Sequence, residues 1–136
     1  GAGPERQALA DRAERVGVEL HLPGAVPPSE IGEWYRRARV VAVPSRREGF
    51  GLVAAEAAAG GRAIVCTRVG GHATVIEDGV SGILVEPNDV TALAAAIQEI
   101  SPLLGLNGPR RVRTLDIQTH GSAVRELYDG LVSDSL

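Results

Sequence analysis

One segment of the sequence, from Val41 to Glu56, sets a short apolar run, a glycine-containing turn and an alanine-rich helical stretch in direct succession. The apolar run stops at Pro44, and the turn Gly49-Phe50-Gly51 leads into the helical stretch. A buried strand that passes through a tight loop to a helix N-terminus is a place to hold an anion. The carboxylates of Glu48, in the turn, and Glu56, on the helix, are better suited to the hydroxyl groups of a sugar or ribose. An anion together with a polyol indicates a nucleotide sugar.

Short apolar runs alternate with helical patterns along the sequence, and turn residues separate them. The run 40–43 is continuous and apolar, as in a strand buried on both faces of a parallel sheet. This alternation predicts an α/β fold, a Rossmann-like parallel sheet with helices on both faces, formed by one domain over residues 1–136. The predicted strands are 18–22, 40–43, 63–66 and 82–85. The predicted helices are 4–16, 29–38, 51–59, 70–76, 90–100 and, in the tail, 122–132.

The turns at one edge of this sheet form the candidate site. In an open α/β sheet, ligands bind in the crevice at the carboxyl ends of the strands. Most of the turns predicted at that edge are rich in glycine or in polar groups. They are Pro23-Gly24, Pro44–Gly51, Thr67–Gly71 and Glu86–Asp89.

Composition and charge argue against several other functions. The net charge is −3 and the basic residues, all arginine, are spread among acidic ones, so the electrostatic footprint of nucleic-acid binding is missing and no membrane-binding face is evident. The absence of lysine excludes a P-loop, and no Cys/His metal constellation or Gly-x-Ser-x-Gly nucleophile elbow occurs. Cys66 lies alone in an apolar run, so we expect a buried, inert thiol and no disulfide framework.

The sequence contains no apolar stretch as long as a membrane span and no signal peptide. A cytoplasmic location is therefore expected. The abundance of alanine and arginine is typical of a bacterium with a GC-rich genome.

The motifs around the Glu48–Glu56 segment follow one another in a recognisable order. Glu48 and Glu56 themselves form an E-x7-E pattern. The others are Gly1 to Pro4, Gly24 after a predicted strand, Pro44-Ser45, Gly70-Gly71, Glu77-Asp78-Gly79 and Gly82 to Val85, with Pro87 and Asp89 opening the next helix. In order and spacing, the chain up to Ile100 resembles the C-terminal, donor-binding domain of retaining, family-4-type glycosyltransferases of the GT-B fold.

The resemblance implies a donor site for a nucleoside-diphosphate sugar, with no metal and no cofactor beyond that substrate. Glu48, the predicted catalytic residue, would hydrogen-bond the sugar hydroxyls, and Glu56 would hydrogen-bond the ribose diol. Backbone amides from Gly49 to Val53 would face the sugar and the diphosphate, and the loop at Gly24 would lie near the base. The reaction would retain the anomeric configuration. The predicted substrate-binding residues are Glu56, Gly49, Phe50, Gly51, Leu52, Val53, Gly24, Ser45 and Gly71.

The sequence also departs from the family pattern. The arginine and lysine that grip the diphosphate in the family usually lie in a segment N-terminal to Gly1, and Arg46, Arg47 and Arg68 do not match them by position. The first strands of such a domain, and the N-terminal domain that binds the acceptor, are missing from the sequence. We therefore expect this chain to be one piece of a larger protein and inactive by itself, with the acceptor domain in the same protein or in another chain. The alternative is a non-catalytic Rossmann-like module that acts in a larger assembly.

Several of these residues also allow a purely structural interpretation. The Glu48–Glu56 pair can be two solvated surface acids, Ser45 can cap the loop, and Gly71 can open a helix. For His72 we expect an exposed side chain without a ligand role, the alternative being that it approaches a sugar or phosphate. For Trp34-Tyr35 we expect packing roles, or stacking on a base.

Overall fold

The computed structural model describes residues 3–115, which divide into two compact units, residues 3–34 and 35–115. Helix α1, Arg6–Val16, lies in the first unit, and the boundary falls within helix α2, Pro28–Arg37. α1 ends at Gly17, whose left-handed φ of 70° lets its amide reach the carbonyls of Ala13 and Glu14. Both helices confirm the predictions for 4–16 and 29–38, apart from small shifts of their ends.

The predicted strand 18–22 is wrong. This segment has no regular structure, and Val18 and Leu20 are 58% and 43% exposed. An alternating pattern becomes a strand only where a neighbouring strand supplies hydrogen bonds, and no strand in the described part of the chain pairs with it. The segment is held instead by the Arg6 side chain, whose Nη2 donates to the Leu22 carbonyl at 2.5 Å.

The second unit is an α/β layer structure. Its elements are, in chain order, β1 Val40–Val43, α3 Leu52–Ala59, β2 Ala63–Thr67, α4 His72–Val75, β3 Ile83–Val85, α5 Val90–Glu99, a 3-10 helix Pro102–Asn107 and α6 Gly108–Arg113. The three strands form a parallel sheet in the order β1-β2-β3, in which Val40 pairs with Ala63 and Val65 with Ile83. All residues of β2 are buried, which explains the unbroken apolar run that predicted it.

Helices cover both faces of this sheet, as predicted. Cys66 of β2 shares a core cluster with the alanines of α3, whereas its neighbour Val65 shares the opposite cluster with Ala96 of α5. The division follows from the strand itself, because successive side chains point to opposite faces. Cys66 is buried, as predicted, and burial raises the pKa of its thiol to about 12. The predicted α/β fold is therefore confirmed.

The segment after α5 is more ordered than its sequence indicates. The 3-10 helix and α6 were not predicted, because they are held by glycine contacts rather than by apolar periodicity. A Cβ on Gly108 would lie 2.5 Å from the Ala58 carbonyl oxygen, so α6 packs on α3 backbone to backbone. The predicted helix 122–132 lies outside the described residues. In residues 3–115 no single helix is long and apolar enough to cross a membrane, and α5 with Pro102–Arg113 meets that test only as a pair bent by 87°.

Candidate functional site

The loop between β1 and α3 brings the predicted site residues to the carboxyl end of the sheet. Gly51, the residue before α3, has a left-handed φ of 88°. A Cβ at this position would lie 2.7 Å from Cδ2 of His72, so glycine is required by both the backbone angle and the close approach. The loop therefore turns tightly over the His72 ring and delivers the N-terminus of α3.

The Glu48 carboxylate is held by groups of its own loop. Its Oε1 accepts a hydrogen bond of 3.1 Å from the amide of Gly49, and its Oε2 accepts a long one of 3.5 Å from Oγ of Ser45. Oε2 also lies 3.8 Å from Nε2 of His72. The Glu48 side chain keeps 28% exposure, so part of the carboxylate still faces solvent. Ser45 thus supports Glu48, as the loop-capping interpretation expected.

His72, the first residue of α4, is fully buried, and the expectation of an exposed side chain is wrong. Its Nδ1 lies 2.8 Å from the backbone carbonyl oxygen of Thr67. The side-chain hydroxyl of Thr67 in turn donates from Oγ1 to the Ser45 carbonyl at 2.5 Å. Its Nε2 has no hydrogen-bond partner within the described chain. The sequence carried one signal for this: His72 directly follows two glycines, and such glycines permit close packing of one loop beneath another. We call Ser45, Glu48, Thr67 and His72 the Glu48 cluster.

Gly70 and Gly71 fix the second loop against the first. The amide of Gly71 donates to the Gly49 carbonyl at 2.7 Å, and a Cβ on Gly71 would lie 2.3 Å from the Phe50 carbonyl oxygen. A Cβ on Gly70 would come closer still to the backbone of Glu48. Gly71 therefore supports the loop, and its contact with a ligand stays a prediction.

Glu56 lies on α3, exposed, and accepts a hydrogen bond of 2.9 Å from the hydroxyl of Tyr35. Burial, with that hydrogen bond and the charge of Glu56, raises the pKa of Tyr35 to about 12. Tyr35 is thus more than the packing residue that the sequence predicted, because it fixes the direction of the Glu56 carboxylate.

The first turn of α3 is open to solvent. Phe50, Leu52 and Val53 are 48%, 66% and 47% exposed, and no side chain of the described residues caps the helix. The first amides of an uncapped helix lack partners and carry partial positive charge, which suits an anion. Gly24, the remaining predicted site residue, belongs to the first unit and has a left-handed φ of 84°.

A second charged group at the strand ends is occupied within the protein. Arg68, directly after β2, pairs with Asp78 at 2.6 Å and with Glu86 at 3.3 Å. Asp78 also accepts from the Leu84 amide at 2.9 Å; partial burial would raise the pKa of its carboxyl, but these hydrogen bonds outweigh it and lower the pKa. We call Arg68, Asp78 and Glu86 the Arg68 cluster. The charge of Arg68 is therefore already paired with two carboxylates of the protein.

Two cavities border the site, and neither is lined by Glu48 or Glu56. The larger one, about 620 Å³, lies between α3 and α6 and is lined by Phe50, Ala55 and Val112 among others. A smaller one of about 170 Å³ lies at the strand ends and includes Ser45 and Arg46. No group of three or more metal-ligating side chains occurs among the residues that the structure describes.

The glycosyl transferases group 1 family matches residues 1–101 of the chain, which is most of its length. The chain belongs to this family. D-inositol 3-phosphate glycosyltransferase 1 of Catenulispora acidiphila is 38% identical to it over 121 residues, which are 85% of this chain and 28% of that protein. The predicted resemblance to the C-terminal domain of a GT-B glycosyltransferase is thus confirmed.

Two solved structures share the fold. Sucrose-phosphate synthase from Thermosynechococcus elongatus superposes with a TM-score of 0.76 at 34% identity, over 98% of this chain and 36% of that one. HepE of Anabaena, solved in complex with UDP and glucose, superposes with a TM-score of 0.70 at 21% identity, over 92% of this chain and 36% of that one. This member of the glycosyl transferases group 1 family therefore spans about a third of each of these two proteins.

Proposed function

We propose that this chain is the donor-binding part of a retaining glycosyltransferase, which transfers a sugar from a nucleoside-diphosphate sugar to an acceptor. One observation carries the proposal. The Glu48 carboxylate, held by the Gly49 amide and partly exposed, precedes the uncapped N-terminus of α3 by a few residues. A hydroxyl acceptor beside an anion site is the combination that a nucleotide sugar requires.

Each glutamate has its own part of the donor. Glu48 would accept hydrogen bonds from the sugar hydroxyls, and Glu56 from the ribose diol. Both side chains are held in place by the protein, Glu48 by the Gly49 amide and Glu56 by the hydroxyl of Tyr35. Carboxylates fixed in this way need little reordering when the donor binds, so their hydrogen bonds add to affinity.

The amides at the start of α3 would stabilise the diphosphate. Negative charge grows on this group as its bond to the anomeric carbon breaks and the acceptor oxygen takes its place on the same face of the sugar. A helix terminus contributes only about 0.3–1 kcal/mol toward a neighbouring charge, so α3 cannot balance the leaving group alone. Arginine or lysine side chains from elsewhere in the full-length protein would supply the remaining positive charge. The residues that bind the acceptor would also come from elsewhere in that protein. Catalysis without a metal and a cytoplasmic location stay predictions.

The test of donor binding is calorimetric titration of the full-length protein with UDP, GDP and ADP. We expect saturable binding of one of them, weakened about tenfold by Glu56→Ala because a charged hydrogen bond to ribose is lost. Glu99→Ala, at the exposed end of α5, is the matched control and should leave the affinity unchanged. If no nucleoside diphosphate binds, the chain is a non-catalytic module and the proposal is wrong.

A further inference from the structure

His72 is a buried ionisable side chain for which the proposed function names no role. Its ring has no exposed surface, it lies under the turn at Gly51, and its Nε2 is directed at the Glu48 carboxylate from 3.8 Å. The residue belongs to neither of the predicted contacts with the donor. Its geometry nevertheless connects it to Glu48, the residue expected to bind the sugar.

The hydrogen bonds around the ring restrict its protonation. The Thr67 carbonyl can only accept, so Nδ1, 2.8 Å away, carries a proton and donates it. If Nε2 were bare, two acceptors, the buried Nε2 and Oε2 of Glu48, would face each other. With a proton on Nε2 the ring donates at both nitrogens, and the buried atom obtains the partner that it otherwise lacks.

We propose that His72 is a positioning residue of the donor site, which donates from Nε2 to Oε2 of Glu48 and aims the carboxylate at a sugar hydroxyl. This inference rests on the proposed function. The ring itself does not touch the sugar, because none of its atoms is exposed; it acts through Glu48. The 3.8 Å separation shortens to a hydrogen bond when the donor is bound, as site contacts that are long in the free protein commonly do.

The neighbours of the ring leave Glu48 as its charged partner in the described part of the chain. The loop before α3 contributes Glu48 and the close contact of Gly51, and β2 contributes the carbonyl of Thr67. Nε2 of His72 therefore faces a carboxylate.

Two variants test the two ring nitrogens of His72 separately. His72→Asn places an amide near the position of Nδ1, so it can keep the bond to Thr67 but offers nothing to Glu48. His72→Gln places a neutral donor near the position of Nε2, within reach of Glu48. Titration of each full-length variant with UDP and with UDP-glucose separates the two functions. Urea unfolding of both variants checks that they fold.

We expect UDP affinity to stay within about twofold of the wild type in both variants. The gain in affinity from UDP to UDP-glucose should fall about tenfold in His72→Asn, in line with loss of one charged hydrogen bond, and recover largely in His72→Gln. Equal losses in the two variants, or an unchanged gain in His72→Asn, would overturn the positioning role. If UDP itself does not bind, the proposed function has failed instead.

Discussion

The two charged clusters at the carboxyl ends of the strands differ in how fully the protein satisfies them. In the Arg68 cluster, the guanidinium holds Asp78 at 2.6 Å and Glu86 at 3.3 Å, and Asp78 also holds the Leu84 amide of β3. In the Glu48 cluster, the carboxylate has one ordinary hydrogen bond, from Gly49, and two longer contacts. The buried Nε2 of His72 is left without a hydrogen bond.

This difference distinguishes a cluster that stabilises the fold from a cluster that is a candidate binding site. The Arg68 cluster ties the loop after β2 to β3, and its guanidinium is already paired with two carboxylates. The Glu48 cluster is rigidly placed by glycine contacts but keeps acceptor capacity and an uncapped helix end beside it. Charge at a strand end is thus weak evidence of a site, and unmet hydrogen-bonding capacity is stronger evidence.

The largest expected effect comes from the backbone contact that holds the Glu48 cluster in place. Gly71→Ala puts a methyl group 2.3 Å from the Phe50 carbonyl oxygen, so the two loops must separate. We expect the free energy of unfolding to fall by about 3 kcal/mol, measured by urea denaturation. In Gly49→Ala, in the loop between β1 and α3, the added methyl group meets nothing within 4 Å, and the free energy of unfolding should fall by less than about 1 kcal/mol. Equal costs would mean that the loops are not locked together.

An intermediate effect is expected in the Arg68 cluster. Asp78→Asn keeps an acceptor for the Leu84 amide but loses the ion pair with Arg68. Because the Asp78 side chain is 42% exposed, we expect a loss of only about 1 kcal/mol at pH 7. The pKa of Asp78 is lowered by folding, so its contribution exists above about pH 4 and disappears as the pH falls further. Urea unfolding should show the variant and the wild type converging below pH 3.

Donor binding is the second property to measure in Asp78→Asn. If the Arg68 cluster only stabilises the fold, this variant leaves the affinity for UDP unchanged in the full-length protein. A loss of affinity at unchanged stability would place Arg68 in the donor site and contradict the comparison.

The smallest effect is expected for Tyr35→Phe, which removes the hydrogen bond to Glu56. We expect a loss of about 0.5–1 kcal/mol in stability and about a twofold loss of UDP affinity. Ultraviolet titration should show a tyrosine with a pKa of about 12 that is absent from the variant. Because folding raises this pKa, the stabilisation is complete below pH 10 and is lost as the pH rises through about 12. A phenol that titrates near pH 10 would show that the contact does not persist in solution.

Local patterns predicted most of the sheet and its helices. β1, β2 and β3 are uninterrupted apolar runs, and α5 has an aspartate cap, Asp89, whose Oδ1 accepts from the Ala92 amide at 2.8 Å. The segment 18–22 failed because alternation cannot show whether a partner strand exists. α6 was missed because a glycine contact, Gly108 against Ala58, leaves no periodic trace in the sequence.

The site was predicted in part for a similar reason. Glu48, Glu56 and the glycines between them lie within one short segment, so their spacing alone placed them together. His72 and Tyr35 reach the same groups from elsewhere in the chain, 24 and 21 residues from their partners. Contacts at such distances depend on how the loops pack, which spacing does not report. The ion pairs of Arg68 could not be predicted from spacing either, because they depend on where β3 lies.

The most direct test compares one carboxylate from each cluster. Glu48→Gln and Glu86→Gln remove the same charge, and the binding of UDP and UDP-glucose to each full-length variant is measured by calorimetry. We predict that Glu48→Gln loses at least tenfold of the gain in affinity that glucose adds while UDP binding persists, and that Glu86→Gln matches the wild type. If the two variants behave alike, or if Glu48→Gln keeps the full gain, the Glu48 cluster does not bind the sugar.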